Sequence, residues 1–372
     1  MTLNLPPALL EDWMRDYYFS TEIDIGSSGV QDLSMPELRR LVGLDLAELD
    51  EIVFHDSQTL GGADLRRALA ERFSQGRSDR TMATHGSTEA NFLVMNSLLE
   101  AGDEVLVLDP IYPQLSQIAE GLGCRLVRWP LRFEEGFRPD LGEARSLLNP
   151  RTKMVVVNFP HNPTGASLSV EEQAELLELC AGHGAYLVWD NAFGDITYDE
   201  PPLPDPHVRY DRCISMGTMS KSYGLPGLRL GWCLAEPEVL QRFVLLRDYM
   251  TLHLSPLVER VATRVIDRAD DVLALARQRS ARNLDLLESW VAEHEGLVEW
   301  QRPRGGVCSF PRLPGVRDVE AFCETLGRKL RVLLVPGSCF GQPQHVRLGF
   351  GGEPGRLQEG LERFSKLLHV VD

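Results

Sequence analysis

The stretch Ser220-Lys221-Ser222-Tyr223-Gly224-Leu225-Pro226-Gly227-Leu228-Arg229-Leu230-Gly231 puts a lysine in a small, polar, glycine-rich turn. It follows an apolar run, Cys213–Gly217, that reads as a strand. A lone lysine is ordinarily a solvated surface group. Here Thr218, Ser220 and Arg229 bring two hydroxyls and a guanidinium to the same turn. Those groups suit a phosphate dianion, which an arginine grips as a fork. A nearby cation and partial burial also favour a neutral amine on Lys221, as Schiff-base chemistry requires.

Three other stretches carry chemistry of the same kind. Thr84-His85-Gly86-Ser87-Thr88-Glu89-Ala90 sits at a strand-to-helix junction. Free N–H groups and the helix dipole favour an anion there, and Ser87 and Thr88 add hydroxyls. The plainer reading of Ser87 or Thr88 is an N-cap. Asn158-Phe159-Pro160-His161-Asn162-Pro163-Thr164-Gly165 is an ordinary turn sequence, but it lies where α/β sheets bind ligands, at the carboxyl end of a strand. Asp190 ends the apolar run Tyr186–Asp190. A carboxylate there needs a partner: it caps a turn or holds a pyridinium N–H.

Around these stretches, apolar runs alternate with helical patterns. Strands are expected at 104–108, 125–129, 153–158, 186–190, 213–217 and 231–235, and helices at 62–75, 86–100, 112–122 and 170–182. This alternation predicts an α/β fold with a mostly parallel central sheet. From Pro256 the pattern becomes one long helical stretch to about Glu295. Short strands near 307–311, 332–336 and 346–350 and a last helix at 354–368 follow. We expect a large domain over 46–255 and a smaller, discontinuous α/β domain made of 1–45 and 256–372.

The chain of 372 residues carries a formal net charge of −16, which argues against a nucleic-acid partner. Its seven cysteines are scattered, with no C-x-x-C pair, so neither a disulfide framework nor a zinc site is expected, and a cytoplasmic location is. No signal peptide and no apolar run of membrane-spanning length is visible, and no bound metal is expected.

Taken together, the four stretches resemble the fold-type I enzymes of the class I/II aminotransferase superfamily, which use pyridoxal 5′-phosphate (PLP). The motifs keep that family's order: G-S-T-E-A, a tyrosine after Asp109-Pro110, N-P-T-G, D-N-A-F, and S-K-x-x-G-x-x-G-x-R-x-G. The resemblance implies the aspartate aminotransferase-like fold and a homodimer with its sites at the interface. It implies that Lys221 carries PLP as a Schiff base and moves protons at Cα. Asp190 would pair with the pyridine nitrogen, Asn162 with the ring oxygen, and Tyr112 would stack on the ring. Ser87, Thr88, Thr218 and Arg229 would hold the phosphate. Arg347 would bind the substrate α-carboxylate, with Gly29 beside it. Two positions depart from the pattern. Phe193 replaces the tyrosine that normally bonds the cofactor's ring oxygen. Asp56 falls about where relatives place a tyrosine that reaches the neighbouring subunit's phosphate. Asp56 and the region 248–257 are the expected sources of contacts between subunits.

Several longer segments resemble a narrower group, the arginine cyclases that form capreomycidine and streptolidine in tuberactinomycin and streptothricin antibiotic biosynthesis. They include Asp24–Val30, Val155–Pro163, Ser220–Trp232, Arg247–Leu252 and Leu254–Arg260. That group also has D-x-A-F. It implies dehydration of a 3-hydroxy- or 3,4-dihydroxyarginine and closure of the guanidine onto Cβ, a lyase and cyclase activity. Such a substrate needs a carboxylate for its guanidinium, and Asp24, Asp32, Asp56 and Asp195 are the candidates. Each is ordinarily a capping or surface acid. An ordinary aminotransferase would use the same cofactor residues, and a non-catalytic amino-acid sensor of this fold would usually append a DNA-binding domain, for which the chain has no room.

Overall fold

The computed structural model describes residues 4–371. Its strands are β1 (Ile23–Asp24), β2 (Thr81–Thr84), β3 (Glu104–Asp109), β4 (Arg125–Pro130), β5 (Thr152–Asn158), β6 (Tyr186–Asp190), β7 (Cys213–Thr218), β8 (Gly231–Leu234), β9 (Cys308–Ser309), β10 (Val332–Leu333), β11 (Val335–Pro336) and β12 (Val346–Gly349). Its helices are α1 (Leu9–Tyr17), α2 (Met35–Val42), α3 (Leu46–Asp50), α4 (Ala63–Phe73), α5 (Gly86–Leu98), α6 (Gln114–Gly121), α7 (Leu141–Leu147), α8 (Val170–His183), α9 (Pro237–Arg247), α10 (Pro256–Asp267), α11 (Ala269–Glu293), α12 (Val319–Leu330) and α13 (Pro354–Val371).

Seven strands form one sheet in the order β2-β8-β7-β6-β5-β3-β4. Only β8 runs against its neighbours, so the sheet is mostly parallel, as expected. Its middle strands are apolar along their whole length because both faces are covered: Met154, Val155, Val156 and Val157 on β5 are all buried. Register decides where the chemistry goes. Asn158 at the end of β5 lies opposite Asp190 at the end of β6, and Asp190 lies opposite Met216 on β7. The carboxyl edge of the sheet therefore presents Asn158, Asp190 and Thr218 side by side, the edge where α/β sheets bind ligands.

The remaining strands are short. β9, β11 and β12 make a three-stranded antiparallel sheet. The β1 strand pairs in parallel with β10, Ile23 opposite Val332, so the amino-terminal segment runs beside residues far along the chain. One sequence expectation needs correction: the helical stretch from Pro256 is two helices, α10 and α11, broken at Arg268. The strand β2, edge partner of β8, ends at the strand-to-helix junction expected at Thr84.

Candidate active site

Lys221 is at the centre. Its Nζ donates to Ser28 Oγ at 3.0 Å. Burial, helped by the positive charge of Arg347, holds its amine below the usual lysine range. A neutral amine is the nucleophilic form. Ser28 is itself buried, on a loop clamped from both sides. Val30 N–H bonds Lys221 carbonyl at 3.1 Å, and Gly349 N–H bonds Ile25 carbonyl at 2.9 Å. A Cβ on Gly349 would collide with the Ser27 backbone, so a glycine lets the loop approach β12.

Beside the lysine, Asp190 accepts one bond, from Ala192 N–H at 2.9 Å. Burial pushes its carboxyl up to about 6, against the pull of that bond and of Lys221. Asn158 Nδ2 donates to the Asp190 carbonyl at 3.1 Å, and Asn158 Oδ1 accepts from Asn162 N–H at 2.7 Å. Asn162 Oδ1 in turn accepts from Arg347 Nη1 at 3.4 Å. The Arg347 guanidinium is buried, donates to the Gly26 carbonyl at 3.0 Å and lies 5.5 Å from the Phe340 ring centre. The Tyr112 hydroxyl donates to Glu11 Oε1 at 3.0 Å. Burial, with the Glu11 charge, drives its phenol well above the ordinary tyrosine range.

At the other end of the site, α5 begins at Gly86 with no side chain capping it. Ser87 and Thr88 lie in its first turn. The Arg229 guanidinium stands over this turn: its Nη2 is 2.9 Å from where a Gly86 Cβ would be. Arg229 Nη1 also lies 3.5 Å from Ser220 Oγ, and Thr218 Oγ1 is 3.0 Å from the same oxygen. Arg229 adopts a left-handed backbone, φ 51°, which costs energy in a non-glycine residue and recurs where geometry serves a ligand. An uncapped helix start, an arginine fork and hydroxyls around one point form a phosphate cradle.

These ends are spaced along one sheet edge, and a buried carboxylate, a lysine amine and a phosphate cradle along it suit PLP. Asp190 is a buried carboxylate with no ion-pair partner among the described residues, suited to a pyridinium. Phe193 is buried, 3.5 Å from where a Gly306 Cβ would be, and offers no hydroxyl to the ring oxygen.

A cleft of about 630 Å³ opens above Lys221, lined by Met14, Tyr18, Asp24, Gly29, Asp32 and Lys221 among others. Two of the four candidate acids, Asp24 and Asp32, are on its wall. Asp24 Oδ1 accepts from Gly26 and Ser27 N–H at 2.9 and 2.8 Å. Partial burial and the charge of Asp24 raise the Asp32 carboxyl. The other two are elsewhere. Asp195 pairs with Arg72 at 3.1 Å and accepts from the Tyr223 hydroxyl at 3.1 Å, outside this cleft. Asp56 is exposed and meets His253 Nε2 at 3.0 Å. Sequence reading missed Glu11 and Ser28. The only signal for Glu11 was its helical spacing with Met14 and Tyr18, the face that α1 leaves beside its buried Leu10, Trp13 and Tyr17.

Comparison with known proteins agrees with this geometry. A profile of the family described as "Aminotransferase class I and II" matches residues 50–364. Capreomycidine synthase of Streptomyces vinaceus is 45% identical, over 98% of this chain and 94% of that protein. Arginine–pyruvate transaminase AruH of Pseudomonas aeruginosa is 29% identical, over 84% of this chain and 81% of that protein. Among solved structures, the PLP-dependent cyclase OrfR superposes with a TM-score of 0.95 at 40% identity, covering 100% of this chain and 99% of its own. The cofactor of this site is pyridoxal 5′-phosphate.

Proposed function

This chain belongs to the class I and II aminotransferase family, and from that premise we propose that it is a PLP-dependent cyclase acting on a β-hydroxylated arginine. It expels the β-hydroxyl as water and closes the guanidine onto Cβ, giving a capreomycidine-type cyclic amino acid for antibiotic biosynthesis. In class it is a carbon–oxygen lyase. The observation that carries the reading is the full-length similarity to capreomycidine synthase. The phenylalanine at 193 and the acidic wall of the cleft support it.

Bound PLP supplies an electron sink for charge at Cα. The protein does the rest. Asp190 holds the pyridine nitrogen, Asn162 the ring oxygen and Tyr112 a ring face. Ser87, Thr88, Thr218 and Arg229 hold the phosphate. Arg347 fixes the substrate α-carboxylate, and Gly29 leaves space beside it: a Cβ there would come within 3.3 Å of the Ser220 carbonyl. Lys221, its amine held below the usual lysine range, takes the Cα proton and gives it to the departing hydroxyl, which leaves as water. The guanidine nitrogen bonds to Cβ, and the proton it sheds returns through Lys221 to Cα. One C–O bond breaks, one C–N bond forms and one water is lost. Asp24 and Asp32 make the wall of the cleft acidic and attract the guanidinium side chain. Holding the tail near Cβ makes closure intramolecular, where proximity supplies much of the rate.

We place the enzyme in the cytoplasm as a homodimer, with a large domain at 46–255 and a smaller one at 1–45 and 256–372.

The test is to mix PLP-loaded protein with 3-hydroxyarginine, and separately with 3,4-dihydroxyarginine, without any keto acid. The expected product is lighter than its substrate by one water, keeps its amino group, and accumulates over many turnovers. A keto product that stops after one turnover, with the cofactor left as pyridoxamine phosphate, overturns the reading in favour of an aminotransferase.

A further inference from the structure

We propose that Glu11, on the amino-terminal helix α1, is the residue that grips the substrate guanidinium and so makes the site selective for arginine-like side chains. This rests on the arginine reading above. Four observations carry it. Glu11 is partly buried and is held in place through one oxygen only. Oε1 accepts from the Tyr112 hydroxyl at 3.0 Å and from Gln114 Nε2 at 3.2 Å. Oε2 has no hydrogen-bond donor among the described residues. No Lys, Arg or His side chain among the described residues lies within ion-pair distance of Glu11, although 31 such pairs occur among these residues. A partly buried carboxylate that is oriented by neutral donors and lacks a cation is matched by a cation from outside.

Its position is the third observation. Tyr112 and Lys221 both feel the charges of Glu11, Arg347 and Asp190, so Glu11 is within electrostatic range of the groups that hold the α-carboxylate and move the α-proton. The fourth is the helix face. Glu11, Met14 and Tyr18 follow one another at helical spacing, and Met14 and Tyr18 line the cleft. Asp24 and Asp32 are weaker candidates for the grip. Both aspartates are exposed to water, where an ion pair contributes little.

The experiment titrates PLP-loaded protein with L-arginine and with L-norvaline, which has the same backbone and propyl chain without the guanidinium. Binding is read from the change in the cofactor's visible absorbance. The unmodified enzyme is expected to favour arginine. Glu11→Gln is expected to lower arginine affinity by about tenfold or more while norvaline affinity stays within about twofold. Glu11→Asp should keep part of the preference. A preference that survives in Glu11→Gln overturns the assignment of Glu11 alone, as does one lost instead in Asp24→Asn or Asp32→Asn. Equal loss of both ligands in Glu11→Gln also overturns it, because it shows only that Glu11 positions Tyr112. An unmodified enzyme that binds the two ligands equally overturns the arginine reading of the site, and Glu11 with it.

Discussion

Asp190, the proposed partner of the pyridine nitrogen, is held at a cost to the cofactor-free fold. Its carboxyl is raised from 3.8 to about 6 by burial. Below pH 3.8 it is neutral in both folded and unfolded chains, so its burial costs little. Between there and about 6 the folded chain holds the extra proton, and above 6 it must bury a charge. Cofactor-free protein therefore loses stability as pH rises through about 6, by up to ~3 kcal/mol from this residue. Asp190→Asn should be more stable than the unmodified protein in urea melts at pH 8 without cofactor, with little difference at pH 4, and should retain PLP more weakly. A gap that does not change with pH would exclude Asp190 as its source. This residue was legible in the sequence because a carboxylate ending an apolar strand has few explanations. So were Lys221, Asn162 and Arg347, each inside a motif. Glu11 was not, because one acid on an amphipathic helix looks like any solvated acid until the fold sets Tyr112 against it. Asp195, one of the four candidate acids, is claimed by Arg72, 123 positions earlier, a pairing that no local pattern announces.

At the scale of elements, the phosphate end of the site depends on how α5 is anchored to its neighbours. Glu89 on α5 is buried and receives His85 N–H and Nδ1 at 2.5 and 3.1 Å. Arg247 at the end of α9 is fully buried, lies 3.3 Å from Glu89 and donates to the Ala83 carbonyl of β2 at 2.8 Å. Burial opposes the charge on Glu89, but the His85 bond and Arg247 outweigh it and hold the carboxyl at about 2. Its folded value lies below the ordinary 4.5, so the network stabilises the fold above pH 4.5 and loses that stability as pH falls through about 2. Arg247→Met leaves a buried carboxylate unpaired. We expect a loss of roughly 3–5 kcal/mol in denaturant melts at neutral pH. Adding Glu89→Gln should restore part of it. If the double variant is no more stable than Arg247→Met, the two side chains do not act as a pair. The sequence showed α5, whose glycine start and apolar run are local signals. The junction at Thr84 announced a strand before α5, but not its pairing with β8, a partner some 150 positions away. The sequence also joined α10 to α11, since the break at Arg268 uses neither glycine nor proline.

The whole molecule shows a surface that does not suit an isolated chain. Phe54 and Tyr249 are 76% and 92% exposed, with Val53, Leu245 and Leu252 exposed beside them in sequence. The two stretches meet in space, since Asp56 touches His253 and Ser57 Oγ donates to Glu259 Oε2 at 2.7 Å. Large apolar side chains grouped on one exposed face mark an interaction surface. The sequence reading expected contacts between subunits at residue 56 and the region 248–257, and the homodimer proposed above would set this surface against a second copy. The same stretches pack against the cofactor end: the Arg247 guanidinium reaches the Thr59 carbonyl at 2.5 Å, and Thr251 bonds Glu89 of α5. Dissociation and weaker cofactor retention should therefore occur together. Phe54→Glu with Tyr249→Glu puts two like charges on each facing surface, and the pair should sediment as a monomer at micromolar concentration where the dimer proposed for the unmodified protein persists. Both side chains are solvent-exposed in the single chain, so the variant monomer should keep its far-ultraviolet circular dichroism. It should release PLP faster on dialysis than the unmodified protein. A variant that stays dimeric places the subunit contact on another face. A monomer that holds PLP as tightly as before shows that each chain completes its cofactor site alone.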